Sequence, residues 1–392
     1  MKRTIVICIA LLAIAGVQAQ TNIDRVLQSI EVNNKELQAA RQLIESQKLE
    51  AKTENNLPDP TFSYAHMWGK HDKDATISEL VVSQSFDFPT LYISRNKLNK
   101  LKMNTFDSQG EITKRDILLQ AKEICLDIIM LRQQKEILDE RLNNAKDLSI
   151  MYNQRLQAGD ANILETNKLN LELLNVKTEA ALNESALQNK LKELAILNGN
   201  EPVAFHETEY PVVIFPADYQ QLKDEVVASD QELQSIYAET AMINKQLSLN
   251  KSQWLPKLEL GYRRNTESGD PFNGFVVGFS IPLFENRNKV KMARAQTYNI
   301  NAQKENVVLQ VESELFQLYN EAQTLRTSMQ EYEKTFSAQS DLKLLKQALT
   351  GGEISMIEYF VEVSVVYQSK LNYLQLQNQY QRAIAKIYKN SL

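Results

Sequence analysis

Glycine, proline, histidine and cysteine are all scarce in this chain, at 11, 9, 3 and 2 of 392 residues. Each scarcity excludes something. A proline inside a helix removes a hydrogen bond and clashes with the preceding turn. None falls between Pro89 and Pro202 or after Pro282, which leaves two long stretches free to be helical. The cysteines are Cys8 and Cys125; the first lies in an apolar leader, so no intramolecular disulfide framework is expected and stability has to come from packing and assembly. Beyond the leader, no run approaches the ~20 apolar residues that a helical membrane span requires. If the protein enters a membrane, it does so by strands. The sequence also lacks a phosphate-binding loop, a dinucleotide fingerprint, a credible catalytic triad and a zinc pattern, so neither catalysis nor a cofactor is expected. A formal charge of −5 argues against nucleic acid as a partner.

What is present begins with MKRTIVICIALLAIAGVQAQ, residues 1–20. Basic residues, an apolar run and small residues in that order describe a secretory signal peptide, with cleavage expected after Ala19. Ile7 precedes Cys8 where a lipoprotein would have a small residue, so lipidation is not expected.

The rest reads as a duplication. Leu57-Pro58, Phe62 and Tyr64 recur as Leu255-Pro256, Leu260 and Tyr262; Arg95-Asn96-Lys97 recurs as Arg287-Asn288-Lys289; LQAGDANILE (156–165) recurs as LTGGEISMIE (349–358). Each half is expected to run helix, strand, strand, helix, helix. The helical stretches carry the 3/4 apolar spacing of coiled-coil seams, through Ile117, Ala121, Ile124, Ile128 and Leu131 in the first half and Val311, Leu315, Leu318, Ala322 and Leu325 in the second. At 1.5 Å per residue, residues 90–157 make one helix of about 100 Å, and the flanking stretches 22–56 and 161–198 are each about half as long. The same holds for 285–349 against 217–254 and 353–390. Two short helices stacked beside one long one in each repeat form a rod.

Four stretches alternate apolar and polar side chains. Phe62, Tyr64, His66 and Trp68 share one face of 60–68; Leu80, Val82, Phe86 and Phe88 share one face of 78–88; Leu258, Leu260 and Tyr262 do so in 257–264, and Phe275, Val277, Phe279 and Ile281 in 274–283. Such segments are what a transmembrane barrel strand requires, apolar toward lipid and polar toward the lumen. Four strands cannot close a barrel, because the smallest membrane barrels use eight and an open edge in lipid strands its backbone groups. Several copies have to contribute, and two hairpins per chain give twelve strands in a trimer.

With these features the chain resembles the outer membrane efflux proteins of Gram-negative bacteria, the TolC-like outer membrane factors. The resemblance covers the mature chain: the duplication, the helix lengths, the Leu-Pro entry into strands, Ile281-Pro282-Leu283-Phe284, and the paired turns in which an acid follows Gly by six residues. It implies a mainly α fold with membrane β, in which long coiled helices form a periplasmic α-barrel and each protomer adds four strands to a trimeric 12-stranded β-barrel. The divisions are the signal peptide (1–19), a first repeat (20–198, hairpin about 58–88), a linker (199–216) expected to add a short strand or turn, and a second repeat (217–392, hairpin about 256–284). The implied function is a passive duct of the outer membrane that extends into the periplasm. It would serve a periplasmic adaptor and an inner-membrane efflux pump or ABC exporter. The alternative is a periplasmic coiled-coil adaptor or structural protein that never enters the membrane.

Carried over by position, the resemblance puts the periplasmic tip at the turns of Gly159 and of Gly351-Gly352. Glu358, with Glu165 at the equivalent place of the first repeat, Glu362 and Asp160 are the candidate gate carboxylates; Arg155 and Glu353 are candidates for tip and adaptor contacts. Three like charges gathered on a narrow axis would repel anions and attract cations. Glu165 and Glu358 also suit an ordinary role, as first-turn carboxylates at a helix N-terminus. Relatives that hold the tip with Tyr and Arg differ from this chain, which has Leu349 and Ile354 there. The lipid-facing set is Phe62, Tyr64, Trp68, Phe86, Phe88, Leu260, Tyr262, Phe275 and Phe279. His66, Met67 and His71 are an alternative soft-metal group or an exposed loop.

Overall fold

A computed structural model describes residues 22–70, 75–338 and 342–392. The signal segment and His71 lie outside the described residues. The chain runs α1 (Asn22–Asn33), α2 (Lys35–Thr53), β1 (Thr61–Trp68), β2 (Thr76–Phe86), α3 (Pro89–Gln157), α4 (Ile163–Leu197), α5 (Tyr219–Ser229), α6 (Gln231–Ser252), β3 (Lys257–Glu267), β4 (Asp270–Ser280), α7 (Lys289–Ala338), α8 (Leu342–Thr350) and α9 (Met356–Ile387). The expected order of each half is therefore present, with α3 at 69 residues. Among the described residues no helix is long and apolar enough to cross a membrane.

Two expected helices are each divided. The stretch 22–56 breaks at Asn34 and 217–254 breaks at Asp230, equivalent positions of the two repeats. The cause is local. The side-chain oxygen of Asn34 accepts from the Leu37 N–H at 2.9 Å, and that of Asp230 from the Leu233 N–H at 2.9 Å, so each starts a new helix as its N-cap. Both are buried, which makes the cap obligatory, because an unpaired amide or carboxylate there would carry its full desolvation cost. The linker differs as well: residues 199–216 contain no strand. Arg132 instead ties that segment to α3 by donating to the carbonyls of Phe205 and Glu207.

The described residues form two compact units. The first holds α1, α3 from Lys114 onward, α4, the linker, most of α5, α7 from Glu312 onward, α8 and α9. Its cores are the seams read from the spacing: Ile117, Ala121, Ile124, Ile128 and Leu131 pack with Ile30, Leu187 and Leu194, while Leu315, Ala322 and Leu325 pack with Leu222 and Ile384. Ser149 interrupts the first seam without penalty, since its hydroxyl donates to Asn170 at 2.9 Å.

The second unit holds most of α2, the sheet, the first part of α3, α6 and the first part of α7. The sheet is antiparallel in the order β1-β2-β3-β4, so the two hairpins are joined through β2 and β3 and the edges at β1 and β4 are open. Ser268 and Gly269, both at positive φ, form the two-residue turn between β3 and β4, where the Glu267–Asp270 pair closes the ladder. That backbone is the type I′ turn, whose twist matches the strands it joins.

Candidate functional site

Two features emerge from the residues upward. The first is a pair of helical turns in the first unit. α3 ends with Gly159 at φ +81 and α8 with Gly352 at φ +77, the left-handed conformation glycine adopts without a Cβ penalty. The Asp160 N–H returns to the Arg155 carbonyl at 2.8 Å and the Gly159 N–H to Leu156 at 3.1 Å; the Glu353 N–H returns to Ala348 at 2.9 Å and the Gly352 N–H to Leu349 at 3.2 Å. Both are Schellman motifs, which satisfy the last carbonyls of the helix.

Three residues later each next helix starts with a capping box. Asn162 caps α4, and the Glu165 carboxylate accepts from the Asn162 N–H at 3.4 Å. Ser355 caps α9: its hydroxyl accepts from the Glu358 N–H at 3.2 Å and the Glu358 carboxylate accepts from the Ser355 N–H at 2.8 Å. The N–H and hydroxyl of Ser355 hold the Glu358 carboxyl below its ordinary pKa. Both candidate gate carboxylates thus turn back onto their own helix starts. Glu362 follows Glu358 by one turn on the same exposed face of α9, so two like charges stand in line there.

The turns share one apolar cluster. Leu148, Tyr152, Leu169, Leu349, Met356, Tyr359, Val363 and Tyr367 are buried together, with Ala161 and Ile354 against them. Leu349 and Ile354 belong to this cluster. Arg155 lies over the Tyr152 ring at 5.2 Å and donates to the Asp160 carbonyl at 3.3 Å. Asn144 donates to the Tyr359 hydroxyl at 2.7 Å, while burial pushes that hydroxyl's pKa up. Asp160, Glu353, Glu358 and Glu362 are exposed, Glu165 is half-buried, and Gly159, Gly351 and Gly352 are exposed at the turns. Sequence reasoning passed over Tyr359 and Asn144. Asn-x-x-Glu and Ser-x-x-Glu before helical periodicity were the legible signal for the caps.

The second feature is the sheet. Its register pairs Phe62 with Val82, Val82 with Tyr262, and Tyr262 with Phe275, one row of directly opposed residues on one face. Phe86, Leu258 and Phe279 make another row of that face, and Gln84, Leu260 and Val277 the row between them. Phe62, Trp68, Phe275, Val277 and Phe279 are 70 to 92% exposed. The opposite face carries the charges: Glu79 and Arg263 pair at 2.5 Å, with Ser83, Glu259 and Asn265 on the same side among Met67, Ile77, Val81, Phe272 and Val276. One residue assigned to the apolar face does not belong to it. Phe88 lies beyond β2 and packs with Leu91, Leu98 and Leu249 in a small helical core, because Pro89 has already begun α3.

His66 and Met67, being consecutive in β1, point to opposite faces, and His66 shares a hydrogen bond with Ser78 at 2.7 Å. Among the described residues no group of three or more His, Cys, Asp or Glu is arranged to hold a metal.

The fold is thus a duplicated helical chain carrying a four-stranded antiparallel sheet with one aromatic, exposed face. Residues 222–390 match the model of the family described as outer membrane efflux protein. No curated protein matches the chain significantly. Among solved structures, the chain is similar to a membrane protein of Pseudomonas aeruginosa (TM-score 0.78, 14% identity, 94% of this chain and 93% of that one). It is similar to the outer membrane channel CmeC of Campylobacter jejuni (0.75, 14%, 94% and 85%). The MtrE outer membrane channel of Neisseria gonorrhoeae in its open state compares at 0.75 and 13%, over 94% and 88%. At these identities the likeness carries the fold, and it extends over nearly the whole chain.

Proposed function

We propose that the protein is the outer-membrane channel of a tripartite exporter, a homotrimer that passively conducts substrates delivered by an inner-membrane pump through a periplasmic adaptor. The observation that carries the reading is the sheet, whose one face is aromatic, apolar and exposed while its edges β1 and β4 are unpaired. In water such a face is an aggregation hazard, and in lipid such edges would leave backbone groups unsatisfied. Both problems vanish when three copies close a twelve-stranded barrel. The face with Glu79, Arg263 and Glu259 then lines water.

The paired Gly turns are the adaptor-facing constriction in this reading, with Glu358 and Glu362 toward the axis. Opening is a rearrangement of the helices that end there, at Gly159 and Gly352, biased by the adaptor's differential binding. The channel performs no reaction, and selection belongs to the pump.

The test is the mass of protein extracted from purified outer membranes in mild detergent, corrected for bound detergent. Three copies of the chain, whose precursor is 44.9 kDa, are expected. A water-soluble monomer or dimer absent from that membrane would replace this reading with the adaptor or scaffold one.

A further inference from the structure

We infer that the junction between strands and helices is a basic collar that binds the anionic headgroups of the leaflet on its side of the membrane. The inference rests on the barrel reading above and goes beyond it. The chain is acidic as a whole, with 49 acidic residues against 44 basic ones. Yet Arg95, Lys97, Lys100 and Lys102 follow β2 with Asp87 as the local acid, and Arg287, Lys289, Lys291 and Arg294 follow β4 with Glu285 as the local acid. The first group lies within about the first four turns of α3, and the second flanks the start of α7.

Neither long helix has an acid in its first turn, where the dipole would stabilise one, and in α7 Lys289 and Lys291 stand there instead. A local preference violated at the start of α7 is compensated elsewhere or serves a function.

The nearby carboxylates are already engaged. Asp87 holds Arg95, Glu285 holds Lys257 at 3.0 Å, and Glu54 holds Lys102 at 2.6 Å. Lys97, Lys100, Arg287, Lys291 and Arg294 are exposed and have no such partner among the described residues. A second copy would present the same spent acids, so a lipid phosphate fits better than another protein surface.

Side-chain contacts bind the junction into one piece: Leu249 of α6 packs with Leu91 and Leu98 of α3, and Asn250 of α6 donates to the Lys289 carbonyl of α7. Between strands and basic residues stand Trp254, Leu283 and Phe284, which are 48, 63 and 83% exposed. Apolar face, then aromatic belt, then cations is the order in which a bilayer presents acyl chain, interface and headgroup.

The full chain, purified in a mild nonionic detergent, is titrated with phosphatidylglycerol or with phosphatidylcholine of the same acyl chains. Retained lipid and trimer melting temperature are read, and each arm is repeated with excess inorganic phosphate. Wild-type protein is expected to retain phosphatidylglycerol selectively and to melt higher with it. Changing the five free cations together to Gln is expected to lower that preference by at least about tenfold, each such charge near an anionic surface being worth about fivefold.

Equal retention of the two lipids by wild type overturns the collar while leaving a lipid-embedded trimer intact. Equal competition by inorganic phosphate also overturns it, since the ligand would then be a free anion. Loss of the trimer in the Gln variant would assign these cations to contacts between copies and sink the proposal. A wild-type protein that takes up neither lipid and stays monomeric would remove the barrel reading and the collar with it.

Discussion

The barrel reading predicts a cost that depends on face and depth along a single strand. On β4 the outward row reads Asn273, Phe275, Val277 and Phe279, while Val276 shares the other face with Gly261 and Ser83. Phe275, 92% exposed, stands at the middle of β4 (Asp270–Ser280), whereas Phe279 lies next to the strand's last residue, beside the junction with the helices. An Arg on the lipid face costs about 2 to 4 kcal/mol at the midplane and about 0 to 1 kcal/mol near the interface. Three copies multiply the first figure to about 6 to 12 kcal/mol per trimer, comparable with the whole stability of a typical domain. Phe275→Arg is therefore expected to abolish or severely reduce folded trimer, Phe279→Arg to cost much less because it lies near the interface, and Val276→Arg to be tolerated because it meets the aqueous side. The assay is refolding into vesicles across a urea series, with the folded trimer resolved by its retarded, heat-sensitive mobility on a cold gel. Equal losses at Phe275 and Val276 would show that both faces are packed against protein. No loss at Phe275 would show that the face meets water or that the strand is dispensable, and either result refutes the lipid assignment.

Glu358→Gln keeps a side chain that can complete the capping box, whereas Glu358→Ala removes both charge and cap. If the carboxylate guards the opening, cation selectivity in planar-bilayer recordings falls in both variants; if it only caps α9, Gln behaves as wild type and Ala alone shows a lowered melting temperature. Glycine replacements separate strain from clash. Gly159→Ala and Gly352→Ala meet open space and are expected to cost about 1 to 2 kcal/mol each from the left-handed backbone alone. Gly199→Ala adds a Cβ placed 2.5 Å from the Asn33 carbonyl oxygen and is expected to destabilise the chain well beyond either, measured by urea titration of helical circular dichroism. Equal effects at the three positions would contradict the packing around Asn33. Cys125 is fully buried, and burial pushes its thiol up to about 12, so at pH 8 it is neutral as well as inaccessible. A maleimide is expected to leave it unlabelled in the native protein and to label it on unfolding, with peptide mapping as the readout; rapid native labelling would mean that the α1–α3–α4 core opens.

Much of this architecture was legible because its signals are local or repeated. The Leu-Pro breaks announce the strands, the alternation chooses their faces, and the recurring Gly-x5-Glu turns place two helix ends with the same hydrogen bonds. What escaped has physical reasons. The β2–β3 pairing joins residues nearly two hundred positions apart, and no turn chemistry records it; it is set by matching apolar rows once both hairpins exist. The breaks at Asn34 and Asp230 leave the apolar spacing almost undisturbed, so periodicity reads through them, and only a capping residue followed by Glu36 or Glu232 reports the new start. Phe88 shows the opposite error: alternation alone extends β2 past the point where Pro89 takes over the backbone. Glu165 and Glu358 carry the sharper lesson. The spacing on which the gate is proposed is also the spacing of a capping box, and here the capping box is satisfied in both repeats. The proposed charge at the opening and the start of a helix fall on one side chain, which is why the Gln and Ala replacements of Glu358 have to be compared with each other rather than with wild type alone.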